Sequence, residues 1–256
     1  MKDFSLQGIA YLADRNDSGL PINPVDVDNA SLLQVKFASE VSRPKESRSG
    51  LRLPRSALSK GIDVTFSLTL TSGTAFNFAI GLYGTQVAIT AGTVASGADL
   101  FPDDVTAGQI IQLSHRNITA MVLKDSAVST PATLEEGTDY QIVSAAQGLV
   151  KMLNVASFTQ PFDPAYSYAS GIDIAMFTQQ APEKYLILDA KNTVQGTSDA
   201  VGAELYRAVF DPLSSLDLLN DDYGEIALTG SLLYDQLNAA NSNRGGFALL
   251  HLPAEI

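Results

Sequence analysis

Apolar residues recur at every second position along most of this chain, and a period of two predicts strands. In IDVTFSLTL, Ile62, Val64, Phe66, Leu68 and Leu70 share one face, while Asp63, Thr65, Ser67 and Thr69 share the other. That is the pattern of a half-buried strand. LLQVKFASEV alternates in the same way, with Leu33, Val35, Phe37 and Val41 inward, and EIALTGSLLY sends Ile226, Leu228, Leu232 and Tyr234 one way. Shorter strands are expected at SLQGIAYLA, GQIIQLSH, ITAMVLK, DYQIV, LVKML, YSYAS, IDIAMFT, KYLILDAK, AELYRAVF and GFALLHL. So many strands, separated by Gly, Pro, Asn and Asp turns, predict a mainly β chain built as a sandwich or barrel.

One segment departs from the period. In SGTAFNFAIGLYGT, Phe76, Ala79, Ile80 and Tyr83 recur at helical spacing, Ser72 is placed to cap the start, and Gly84 is placed to end it. A single helix over about residues 73–83 follows, weakened in isolation by Gly81 and in need of a sheet to lie on. Between residues 94 and 171 the texture changes to short strands and the turns FPDDVTAG, LEEGTDY and TQPFDPAY. This predicts a small sandwich-like β-domain over 94–171, inserted into a core made of 1–93 and 172–256, because neither flank alone has enough strands to enclose a core.

Charge sharpens the picture. The 256 residues carry 16 Lys and Arg against 28 Asp and Glu, a formal net charge of -12. The balance is uneven: residues 1–60 hold nine basic and seven acidic side chains, and the remainder holds seven and twenty-one. A nucleic-acid-binding domain should show a basic footprint, and this chain shows the reverse outside its opening stretch. There is no cysteine, so disulfides and thiolate metal sites are excluded, and two histidines make a histidine-rich metal centre improbable. The N-terminal MKDFSLQGIAYLADR lacks the apolar run of a signal peptide, and no segment reaches about 20 apolar residues. A soluble chain with no membrane insertion is expected.

Catalytic patterns are missing from the sequence. It contains no Gly-Lys-Ser/Thr phosphate loop, GxGxxG, GxSxG or HExxH. His115 reads as the end of a strand and His251 as part of a terminal one. Asp26, Asp28 and Asn29 in VDVDN have calcium-like alternate spacing, but the Gly and the later Glu of a calcium loop are absent, and a turn is the better reading. Asp103 with Asp104, and Asp221 with Asp222, read as solvated loop charges. No enzyme activity, cofactor or metal is expected.

The strings MKDFSLQG, KESRSGLR, SGTAFNFAIGLYGT, GTDYQIVSAAQGLVKML and RAVFDPLSSLDLLNDDYGEIALTGSLL, in that order, cover nearly the whole chain. Together they resemble the major tail tube proteins of long, non-contractile-tailed bacteriophages. The resemblance implies a tail-tube β-sandwich or barrel with one flanking helix, a fold shared with the type VI secretion tube protein. It also implies hexameric rings stacked into a tube around a tape-measure protein, ended by tail terminator and baseplate or distal tail proteins. The resemblance further implies that viral DNA passes through such a tube transiently and without specific binding. The chain would then be made in the host cytoplasm and reside in the virion, with the 94–171 insert as an external ornament. A different function class fits the insert alone, a module binding a cell-surface glycan, although its aromatics Tyr140, Phe158, Phe162, Tyr166 and Tyr168 equally suit a core.

Two surfaces are candidates for assembly. The polar face Asp63, Thr65, Ser67 and Thr69 reads either as a lumen wall or as an ordinary solvent face, since both need the same alternation. The stretch RPKESRSGLRLPRSALSKG gathers Arg43, Lys45, Arg48, Arg52, Arg55 and Lys60. Its Ser42, Ser47, Ser49, Gly50, Pro44 and Pro54 mark a long loop, not a basic helix that could enter a DNA groove. A cationic loop inside a conduit would hold phosphates back, so the loop is read as a contact to an acidic neighbouring subunit, with a plain solvated loop as the alternative.

Overall fold

The structure is a computed structural model that describes residues 3–48, 50–194 and 199–253; Met1, Lys2 and Ser49 of the strings quoted above lie outside them. The chain forms two compact units, residues 1–86 with 174–256, and Val87–Asp173. The inserted unit thus begins ahead of residue 94, because β6 (Gly92–Val94) pairs with β11 (Asp163–Tyr168) inside it.

The first unit is an antiparallel sheet. Its main order is β2 (Pro21–Asp26), β1 (Leu6–Arg15), β13 (Glu183–Asn192), β14 (Ala200–Phe210), β15 (Ile226–Leu232), β4 (Leu58–Leu70) and β3 (Ala30–Ser42). β16 (Ala248–His251) adds to the Gly202–Leu205 part of β14, and β15 takes Ala208–Phe210. Leu12 of β1 and Phe66 of β4 come from distant places in this order, yet both lie in one buried cluster with Leu186, Leu205, Phe210 and Leu228. Only a sheet curled around its own apolar face can bring them together. Leu33 and Val35 of β3 pack on the same cluster, so the far edge also bends inward.

Helix α1 (Ala75–Gly81) closes the cluster through the buried Ile80, with Phe76 and Phe78 beside it. Its cap is Thr74, whose hydroxyl accepts the Asn77 amide, and not Ser72. The Asn77 side chain is fully buried and donates to the carbonyls of Val27 and Ser72, both at 2.9 Å, which pins the helix to the chain entering β3. At the other end Tyr83, not Gly84, takes the left-handed position at φ 48°. Gly84 N–H donates to the Ala79 carbonyl and Tyr83 N–H to that of Ile80, a Schellman ending. The strain of a bulky residue there is offset by its hydroxyl, which donates to the Phe210 carbonyl at 2.5 Å.

A second helix, α2 (Gln236–Ala239), corrects the expectation of one. It is a single turn capped by buried Asp235, which also pairs with Arg15 at 2.8 Å. Arg207 forks onto Glu183 at 2.7 and 2.9 Å, and Arg15 reaches the same carboxylate at 3.2 Å. The hydrogen bond from Arg207 and the two nearby positive charges outweigh burial and hold the Glu183 carboxyl below its usual range. This cluster joins β1, β13, β14 and the entry to α2.

Gly230 is fixed by close approach. A Cβ there would sit 2.1 Å from the Val209 carbonyl oxygen and 2.7 Å from the Phe66 ring, so no side chain fits where β15 crosses the core.

The chain passes between the units along β5 (Thr85–Ile89) and β12 (Gly171–Ala175), which pair with each other. The second unit holds two three-stranded antiparallel sheets. One has β10 (Leu149–Met152) between β7 (Ile110–Gln112) and β9 (Tyr140–Ser144), the other β11 between β6 and β8 (Ile118–Lys124). Residues from both, including Val150, Met152, Leu123 and Tyr166, meet in one core, a small sandwich. Tyr140, Phe162 and Tyr166 are buried in it, and Phe158 and Tyr168 pack against it.

Candidate self-assembly surface

The alternation of β4 places Val64, Phe66, Leu68 and Leu70 in the core as expected. Ile62 departs from it, at 56% exposed, and on β3 so do Phe37, at 71%, and Val41. The reason lies in the ladders. β15 pairs with β4 only from Thr65 to Leu70, whereas β3 stays paired with it down to Leu58. Past Val64, the last buried residue of β4 on this side, the β3–β4 pair is therefore a two-stranded arm that overhangs the sheet and, among the described residues, leaves Ile62, Phe37 and Val41 exposed. Tyr234 is exposed for a related reason: β15 stops at Leu232, and the ring instead meets Phe247 edge-on at 5.7 Å.

The segment read as a loop continues this arm. Lys45 and Pro54 form a bridge, Glu46 N–H donates to the Leu53 carbonyl at 2.8 Å, and Arg55 N–H donates to that of Pro44 at 2.9 Å. Near the tip Gly50 and Arg52 adopt positive φ, and Leu51 and Leu53 are exposed. Arg43, Lys45, Arg48, Arg52 and Arg55 are all exposed, and among the described residues none of their cationic groups has a carboxylate at ion-pair distance. Lys60 differs from the rest: it bridges to Glu40 across the arm at 3.1 Å. That pair is exposed and contributes about 0–1 kcal/mol.

The candidate lumen residues divide between two environments. Thr65, Ser67 and Thr69 lie where three strands run side by side, opposite Ser231, Thr229 and Ala227 of β15 and Lys36, Gln34 and Leu32 of β3. Asp63 lies on the arm, opposite Ala38. Thr65 and Asp63 are exposed, and Ser67 and Thr69 are half-buried. The outer face of the three strands is thus a small-residue, mostly hydroxyl-bearing surface with the single cation Lys36 in the paired region.

The sheet ends differently on its two sides. β2 carries Pro21 and Pro24, which blunt one edge. β3 presents its other side over thirteen residues, with no further strand paired to it among the described residues.

A further surface is the connection between β14 and β15, where the sequence points only to solvated loop charges at Asp221 and Asp222 and to no part in assembly. Asp217, Asp221, Asp222 and Glu225 are exposed on it together with Leu218, Leu219 and Tyr223, the last two at 96% and 92%. None of these four acids has an ion-pair partner among the described residues. Large apolar side chains beside unpaired acids were the available signal, but the segment has no period to draw attention.

Among the residues weighed for chemistry, His115, His251 and Asp26 have structural partners. His115 stacks on Tyr168 at 4.0 Å and its Nδ1 lies 3.1 Å from the Tyr166 hydroxyl, which donates to Asp99 at 2.6 Å. Burial and the Asp99 carboxylate push the Tyr166 hydroxyl well up. His251 lies 3.2 Å from Glu204, which also receives Arg244 and the Tyr185 hydroxyl. Asp26 accepts the Asp28 amide at 2.7 Å, the side-chain turn that the sequence suggested. Asp103, Asp104, Asp221 and Asp222 are exposed.

A family model described as "Protein of unknown function UCP028589" matches residues 3–250. The chain belongs to that family. The match takes in both units, the cationic arm and the acidic connection. No curated protein matches the chain.

Proposed function

We propose that this chain is a structural subunit of a phage tail tube, without catalysis, that assembles into hexameric rings stacked around a tape-measure protein and forms the conduit for DNA. It would reside in the virion and meet terminator and baseplate or distal tail proteins at the tube ends. The observation that carries this reading is the β3–β4 arm: a ribbon with exposed apolar residues on one side and basic side chains Arg43, Lys45, Arg48, Arg52 and Arg55 that have no carboxylate at ion-pair distance among the described residues. Such a ribbon is costly in an isolated domain and useful in an assembly, where a neighbour covers it.

Two further features support the reading. The open edge of β3 is suited to receive a strand of a neighbour, so that sheets of successive subunits join and close into a ring. The hydroxyl-bearing outer face of β15, β4 and β3 would give DNA little to hold, because retention depends on Lys and Arg contacts to phosphates. The order of the strings that resemble tail tube proteins adds to both.

Sedimentation velocity tests the reading. The purified chain is expected to shift from a slow species to discrete, much larger ones as concentration rises. Raising salt to about 1 M, where charges are screened beyond about 3 Å, is expected to dissociate the larger species. A monomer at every concentration and ionic strength would contradict the proposal.

A further inference from the structure

We infer that the arm of one copy docks, tip first, into an acidic hollow at the far end of the sheet of the next copy. This rests on the reading of the chain as a tube subunit and names the partner surface.

The tip of the arm begins where the β3–β4 ladder ends, at Ser42 facing Leu58. At the other end of the same ladder Ala30 faces Leu70, and Leu70 also faces Ile226, the first residue after the acidic connection. Thirteen residues of β4 at about 3.3 Å each place the two ends about 40 Å apart. Beyond Leu70 lies a hollow of about 560 Å³ lined by Asn29, Thr71, Ser72, Asp222, Tyr223 and Glu225. A smaller one of about 200 Å³, which shares Thr71 and Glu225, adds Asp217. The hollow thus has a carboxylate rim and an exposed aromatic wall, Tyr223.

The two patches match in kind. Exposed Arg48, Arg52 and Arg55 are interspersed with exposed Leu51 and Leu53 on the arm, and exposed Asp217, Asp221 and Asp222 share the connection that supplies the hollow with exposed Leu218, Leu219 and Tyr223. Guanidinium groups pair well with carboxylates and stack on aromatic faces. An arm cannot dock on another arm, since like charges would face each other. Nor can it reach the hollow of its own copy from the opposite end of the ladder. A patch on one end that fits a different patch on the other end is a head-to-tail interface, which propagates without closing along the strand direction. Rings joined in this way stack into a tube.

A charge exchange in the full chain tests the inference. Asp217→Lys, Asp222→Lys and Glu225→Lys together reverse the acids that line the hollow, and Arg48→Glu, Arg52→Glu and Arg55→Glu together reverse the arm. Each reversed chain alone is expected to associate about 100-fold more weakly than the unaltered chain. An equimolar mixture of the two is expected to recover association, because each arm then meets a hollow of opposite sign. Asp217→Asn with Asp222→Asn is the milder second variant, expected to weaken association by about tenfold and lessen its salt dependence. Circular dichroism confirms that each variant is folded. A hollow-reversed chain that associates as the unaltered one does, or a mixture that fails to recover, overturns the arm-to-hollow contact and leaves the tube reading in place. Retention of double-stranded DNA by the unaltered chain, lost on arm reversal, overturns the inference in favour of nucleic acid as the arm's partner. If the unaltered chain never associates, the tube reading fails together with the inference.

Discussion

Arg48→Glu together with Arg52→Glu should leave the subunit folded and abolish its polymerisation at near-physiological salt. Both side chains are exposed, and neither has an ion-pair partner among the described residues, so the fold loses no contact. Exposed substitutions of this kind change stability by about 0.5 kcal/mol or less. Assembly is affected quite differently. The exchange takes four units of charge out of a tip whose remaining Arg43, Lys45 and Arg55 are then balanced by Glu46 and the two new acids, so its attraction to an acidic surface is lost. The measurement is a pair of curves: thermal unfolding, expected within about 2 °C of the parent, and light scattering against concentration, expected flat. Normal polymerisation of the double variant would remove the arm from the account of assembly.

Phe210→Ala should do the opposite, destabilising the subunit itself by about 3–5 kcal/mol. The ring is fully buried and meets Phe66 edge-on at 5.0 Å with planes at 85°. Phe210 lies on β14, the strand that joins β13 to both β15 and β16. A cavity there opens against Phe66 of β4 where β14 faces Gly230 of β15, and since a domain of this size is stable by about 5–15 kcal/mol, the loss is a large part of the total. Urea unfolding at concentrations too low for assembly reads it as a lowered midpoint with unchanged slope. A loss below about 1 kcal/mol would mean that the cluster around Phe66 is not the core on which the sheet curls.

These two residues mark what the sequence made legible. Phe66 and its alternating neighbours announced a half-buried strand, and Phe210 sat in an expected strand, because burial on one face enforces the period of two. Phe37 and Ile62 obeyed the same period and are nonetheless exposed. Alternation reports that one face is apolar, and it does not report whether a third strand or a layer arrives to cover it. β2 was hidden by Pro21 and Pro24, which argue against a strand everywhere except on an edge, and α2 is a single turn, too short to show a helical period. Thr74 and Tyr83 ended α1 in place of Ser72 and Gly84, because capping depends on where the sheet sets the helix and not on residue preference alone.

The candidate site was legible in charge and opaque in shape. Six basic residues in an acidic chain were visible at once, but the bridge between Lys45 and Pro54 that makes an arm of them is a product of long pairing between β3 and β4. Lys60 belongs with them in sequence and is withdrawn from them in space by Glu40. The acidic hollow is built from the β14–β15 connection and from Asn29 and Thr71, which are far apart along the chain. Only the register of Leu70 with both Ala30 and Ile226 brings them to one end of the sheet.

Negative-stain electron microscopy of the purified chain at high concentration tests the central claim most directly. The account predicts rings and stacked tubes of uniform width with an open channel, present at low salt and dispersed at high salt. Fields of separate small particles at every concentration and ionic strength would contradict it.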